Sequence, residues 1–188
     1  MADSLRTFAQ LIANVPDNTS GLVSPQDIRE AIISGLSDGG SVADDADWTL
    51  TLASDTWTDI PSNSTGPALA AALLWIKDGS DRLVPDWANQ YTVAAALERG
   101  AEVIARVRAT KTGAAQPYQF RVVRDGSVVG AAVDATISST TTASVSFSVA
   151  DSYVVADEEP WSLEAQAVGH GDDLDVEGWS LAIRGVLL

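Results

Sequence analysis

The chain has 188 residues, a formal net charge of -15, six tryptophans, one histidine and no cysteine. That length suits one ordinary domain with a small extra module, and a 46% apolar content is enough for a sizeable core. Without cysteine there are no disulfides, zinc–thiolate sites or cysteine nucleophiles, and the acidity opposes nucleic acid and anionic membranes as partners.

A single histidine, His170, builds no polyhistidine metal site within one chain. The opening MADSLRTFAQLIANV lacks the apolar middle region of a signal peptide, and no stretch of sequence approaches a membrane span. The expectation is a protein kept in a cytoplasm or released by lysis. On that expectation Asn18-Thr19-Ser20 and Asn63-Ser64-Thr65 read as turns rather than glycosylation sites.

In chain order, residues 4–15 are expected to form a helix, with Leu5, Phe8, Leu11, Ile12 and Val15 on one face. Pro16 stops it, and Asp17-Asn18-Thr19-Ser20-Gly21 is turn chemistry. Ser24 is a good N-cap for a second helix, Pro25 fits its first position, and Asp27 lies in its electropositive first turn. Ile28, Ile32 and Leu36 then stack on one face, and Gly35 and Gly39 mark the end. Neither stripe supports an isolated helix, so residues 1–36 predict a helical hairpin that docks on another surface. Its docking residues are Phe8, Leu11, Ile12, Val15, Val23, Ile28, Arg29 and Ile32.

Residues 37–47, SDGGSVADDAD, read as an acidic, Gly-rich linker. From there the period becomes two, and residues 48–188 predict an antiparallel jelly-roll β-sandwich. Trp48, Leu50 and Leu52 alternate with threonines. Residues 68–76, ALAAALLWI, fit a short helix or a buried strand, and the turn-forming Lys77-Asp78-Gly79-Ser80 favours strand at the end of that run. Alternation resumes at Tyr91, Val93, Ala95 and Leu97, then at Val103, Ala105 and Val107, and at Tyr118, Phe120 and Val122. Asp125-Gly126 between two such runs predicts a hairpin. Val145, Phe147 and Val149 alternate with serines; Trp161, Leu163, Ala165 and Ala167 face one way; Trp179, Leu181 and Ile183 close the sheet. Short alternating strands at regular spacing suit a sandwich of jelly-roll type.

TFAQLIANVPDNTSGLVSPQDIREAIISGL resembles a short amino-terminal module of tailed-phage structural proteins: two apolar helical turns followed by D-N-T-x-G-x-[IV]-[ST]-[PA]-Q-D-[IL]-R-[ED]. Asp17, Asn18, Thr19, Gly21, Val23, Ser24, Pro25, Gln26, Asp27, Ile28 and Arg29 match in register. The module resembles the base of head fibres, head spikes and other virion appendages. YQFRVVRDGSVVGAAV and the closing GDDLDVEGWSLAIRGVLL are similar to strands of the trimeric jelly roll of the tumour necrosis factor and complement type, as found in phage fibre tips. In that fold residues 48–60 supply the opening strand. The resemblance implies a homotrimer on a virion surface, with the major capsid protein or another virion protein as partner. A host surface glycan is the alternative partner, at a tail-fibre tip, and head against tail stays open.

Chemistry is sparse. Asp173-Leu174-Asp175-Val176-Glu177-Gly178 copies the first half of an EF-hand loop, but the bidentate acid of the twelfth position is replaced by Arg184. Asp173, Asp175 and Glu177 therefore read as the solvated face of a strand, with a looser cation site as the alternative. Asp44, Asp45 and Asp47, and Asp157, Glu158 and Glu159, are acidic clusters of the same kind. His170 lies between two glycines with no nucleophile motif beside it, which predicts a loop or interface role. Arg106, Arg108, Arg121 and Arg124 are expected to pair with the chain's own acids. Neither a catalytic residue nor a cofactor is assigned.

Overall fold

The computed structural model describes residues 38–44, 47–60, 75–77, 82–85, 98–154, 157 and 159–187. The helical hairpin of residues 1–36, and with it every expected docking residue, lies outside the described residues, as does the alternation of residues 91–97. What is described is mainly β and antiparallel, with eleven strands: β1 (Asp38–Asp44), β2 (Trp48–Leu50), β3 (Thr58–Asp59), β4 (Trp75–Lys77), β5 (Leu83–Pro85), β6 (Glu98–Thr110), β7 (Gln116–Arg124), β8 (Ser127–Ile137), β9 (Ala143–Val154), β10 (Trp161–Ala167) and β11 (Leu174–Leu187).

These strands form two sheets. One runs β1-β11-β6-β9 with β2 also on β11; the other runs β4-β5-β10-β7-β8 with β3 also on β10. Without the short β2, β3 and β4, the first strand lies beside the last and the chain alternates between sheets except at the β7–β8 hairpin, which is the jelly-roll strand order. Period-two patterning turns one face of each strand inward. Val103, Ala105 and Val107 of β6 and Leu181 and Ile183 of β11 meet Tyr118, Phe120 and Val122 of β7 and Trp161, Leu163 and Ala165 of β10 in one continuous core. Burying a single large side chain of this kind stabilises the fold by about 1.5–3 kcal/mol.

The hairpin expected at Asp125-Gly126 joins β7 to β8. Both turn residues have positive φ, 43° and 77°, which is the type I′ geometry that suits the twist of the flanking strands. Trp75–Lys77 is a strand, in keeping with the reading of the end of ALAAALLWI.

Two expectations need correction. Asp38–Asp44 is no linker: its seven residues pair with β11 from Asp38↔Gly185 to Asp44↔Trp179. Glycines and acids tolerate a sheet edge when a long partner strand supplies the ladder, and β11 does so. The opening strand is accordingly β1 rather than residues 48–60. That stretch instead crosses the sandwich, since β2 pairs with β11 in one sheet and β3 pairs with β10 in the other.

Candidate functional site

No catalytic constellation emerges among the described residues, so the candidate sites are surfaces. Asp173, Asp175 and Glu177 are the first to place. Leu174 and Val176 are buried in the core, so period two sends Asp175 between them, and Asp173 and Glu177 on either side, outward. A register shift between Val176 and Gly178 marks a bulge at Glu177. The three acids do not converge. Asp175 accepts a hydrogen bond from Thr49 Oγ1 at 2.8 Å, and Glu177 accepts from Thr142 Oγ1 at 3.0 Å. Asp173 offers its main-chain carbonyl to the Tyr118 hydroxyl at 3.3 Å. Among the described residues no group of three or more His, Cys, Asp or Glu side chains is arranged to hold a metal ion.

A polar loop cluster at one end of the sandwich is the best-organised part of the surface, and sequence reasoning missed most of it. Lys111, 4% exposed, meets the half-exposed Asp172 at 2.7 Å. The Lys111 ammonium, which hydrogen-bonds Asp172, holds that carboxyl below the ordinary aspartate range. Asp55, at φ 54°, accepts the Gly169 N–H at 2.8 Å and the Ser54 hydroxyl. Those two hydrogen bonds, the backbone one first, lower its pKa as well. Burial, seconded by Asp172, Asp173 and Asp175, pushes the Tyr118 phenol up to about 12. His170 fills the gap. Its Nε2 lies 2.8 Å from the Pro117 carbonyl and its Nδ1 faces the Asp172 N–H at 3.3 Å. The Pro117 carbonyl calls for a proton on Nε2, and the Asp172 carboxylate stands 3.7 Å from Nδ1. The edge-on contact of His170 with Tyr118, 5.0 Å between centroids, completes a structural role in a loop, as its glycine flanks suggested.

The arginines divide. Arg121 Nε meets Glu164 at 2.6 Å, and its guanidinium lies 4.0 Å over the partly exposed Trp57 ring. Arg124 stands 3.1 Å from Asp151 and 3.0 Å from Glu159, donates to the Ser152 carbonyl, and covers the buried Trp161 ring at 5.5 Å. Its Nε and the Asp151 Oδ2 make no aligned hydrogen bond, so these contacts act mainly through charge. Arg108 donates to the Glu177 carbonyl at 3.0 Å, while Arg106 is exposed. Both arginines border a shallow depression of about 220 Å³ on the outer face of the β1-β11-β6-β9 sheet, with Ala43, Ser144 and Ser180. The register puts small side chains on β1, β11 and β9, with Ser41 beside Ala182 and Ala43 beside Ser180, while the exposed Glu102, Arg106 and Arg108 stand along β6 between β11 and β9.

The chain matches no family model and no curated protein. Solved structures do resemble it. The vertex protein P5 of phage PRD1 is 16% identical, covering 79% of this chain and 96% of that one, with a TM-score of 0.46. A chain of the T13 particle of infectious bursal disease virus is 11% identical over 79% of this chain and 31% of its own, with a TM-score of 0.38. A family 35 carbohydrate-binding module of Clostridium thermocellum is 15% identical over 75% and 96%, with a TM-score of 0.32. At these identities and TM-scores, function has to be argued from the chain's own residues.

Proposed function

We propose that this chain is a structural protein of a tailed-phage virion. It decorates the capsid surface as a trimeric head fibre, spike or cement-like protein of tumour necrosis factor-like type, docked through residues 1–36 onto the major capsid protein or another virion protein. The observation that carries the reading is the strand order. Behind a segment that resembles a virion docking module, the sheets run β1-β11-β6-β9 and β5-β10-β7-β8, a jelly roll. Two further features support it. Small outward side chains on β1 and β11, Ser41 beside Ala182 and Ala43 beside Ser180, allow copies to approach closely at that edge of the first sheet, and a charge of -15 keeps a crowded particle surface dispersed. The role needs no catalysis, and we assign none.

Deleting residues 1–36 tests the docking. The truncated chain should keep the far-ultraviolet circular dichroism of a β-sandwich and lose its binding to particles. Undiminished binding would sink the docking role, and loss of the β signal would show that residues 1–36 belong to the fold.

The alternative, a glycan-gripping tail-fibre tip, has one observation in its favour. Trp57 is partly exposed beside Arg121 and Glu164 on the outer face of the second sheet, offering an aromatic platform among polar groups. Binding to host surface glycan that Trp57→Ala abolishes would favour this reading over the capsid one.

A further inference from the structure

Among the described residues, β1 and β9 end the first sheet and β4 and β8 end the second. An unpaired strand edge is a template for joining another chain, and proteins blunt it with charge, bulges, proline or brevity. Three of these four ends are blunted. β1 is DGGSVAD, with an acid at each end and a glycine pair. β4 is three residues long and ends in lysine. β8 bulges, since Gly130, Ala131 and Ala132 stand between the pairs Val122↔Val129 and Phe120↔Val133, where β7 has Arg121 alone.

β9 carries none of these devices. It has twelve residues, no proline and no charge before Asp151. In a chain of net charge -15, the run from Ala135 to Ala150 holds no ionisable residue, so two copies would repel one another least here. Arg124 closes the far end of the strand by pairing with Asp151 and donating to the Ser152 carbonyl, which confines the open edge to residues 143–150. Along that edge Ser144, Ser146 and Ser148 are exposed, while Val145, Phe147 and Val149 are only partly covered by the core.

The occupant is written in the sequence. Val145-Ser146-Phe147-Ser148-Val149 reads the same in both directions. We propose that β9 pairs antiparallel with β9 of a second copy of this chain, across a two-fold axis at Phe147. In that register Phe147 meets its own counterpart, Ser146 meets Ser148 and Val145 meets Val149. Serine pairs fall on the outer face, and valine and phenylalanine pairs fall on the inner face, where they gain cover. A two-fold contact uses the same patch on both copies, so a palindromic strand satisfies it fully. Aromatic, β-branched and hydroxyl cross-strand pairs each favour the pairing. The contact is distinct from the three-fold assembly proposed above and does not rest on it.

Light scattering on the full chain at high protein concentration tests the pairing. The wild type should have the mass of two chains, or of six where a three-fold contact also forms. Ser146→Lys with Ser148→Lys, at exposed positions, places lysine opposite lysine and should halve that mass. A wild-type mass of one or three chains, or a mass that the lysine pair leaves unchanged, overturns the proposal. Three chains would do so while supporting the trimer; two chains would support the pairing and overturn the trimer. Cysteine supplies a second readout, because the chain has none of its own. Ser146→Cys with Ser148→Cys should yield a covalent dimer on oxidation, and a product that stays monomeric on a non-reducing gel counts against β9 pairing even where the lysine variant fails to fold.

Discussion

β9 and β10 show the same period of two in sequence and end up in opposite surroundings. In β10, Trp161, Leu163, Ala165 and Ala167 face the core, but the polar side is covered too: Ser162 is 6% exposed and Gln166 9%. β3, at the end of the segment that crosses from β2, pairs along its edge, and Asp59 accepts the Ser162 hydroxyl at 3.1 Å. In β9 every serine from Ser144 to Ser148 is exposed, and the apolar side is only half covered. Alternation therefore tells which side chains share a face, while distant chain decides whether the second face is wet. A strand covered twice is an anchor of the fold, and a strand covered on part of one side is available for assembly.

Core truncation should separate the two strands most strongly. Leu163→Ala in β10 removes a fully buried side chain and is expected to cost about 2–5 kcal/mol, whereas Val145→Ala in β9 should cost about 1 kcal/mol, both by chemical denaturation. Equal losses would erase the distinction.

Much of this contrast was legible in sequence, and its omissions have a physical pattern. The Asp125-Gly126 hairpin and the inward faces of β6, β7 and β10 were readable because turn chemistry and side-chain period are local. The strand character of Asp38–Asp44 was not, because a Gly- and Asp-rich stretch becomes a strand only when β11, more than a hundred residues later, supplies its ladder. The loop cluster and the Trp57–Arg121 stack were hidden for the same reason: nothing near Lys111 announces Asp172, and nothing near Trp57 announces Arg121. Alternation at Asp173, Asp175 and Glu177 did give their outward direction, but the threonines that engage two of them come from other strands.

Gly130 tests where the two sheets touch on the side of β8 and β9. Its φ is +71°, and a Cβ there would stand 2.6 Å from Val149 Cγ1. Gly130→Ala should therefore destabilise by about 1–3 kcal/mol through backbone strain and overlap. Adding Val149→Ala relieves the overlap alone, so the double variant should recover only part of the loss; full recovery would show that the backbone is unstrained.

A smaller effect is expected on the covered side of β10. Glu164→Gln removes the partner of Arg121, both side chains being less than one-fifth exposed, and should cost about 1–2 kcal/mol. A loss near zero would mean that Trp57 alone holds the guanidinium.

The smallest effect belongs to Asp172. Its folded pKa is depressed, so its contact with Lys111 contributes stability above the ordinary aspartate pKa and loses it as pH falls through the depressed value. Asp172→Asn should lower the melting temperature at neutral pH, and the gap from wild type should close in acid. A gap that persists at the lowest pH would assign the loss to something other than this charge.

Cryo-electron microscopy of intact particles tests the central claim most directly. Two-sheet sandwiches should stand on the outside of the capsid, with residues 1–36 at the base against the shell. Sandwiches found only at the tail, or held to the shell through the β-sheets while residues 1–36 point away, would contradict it.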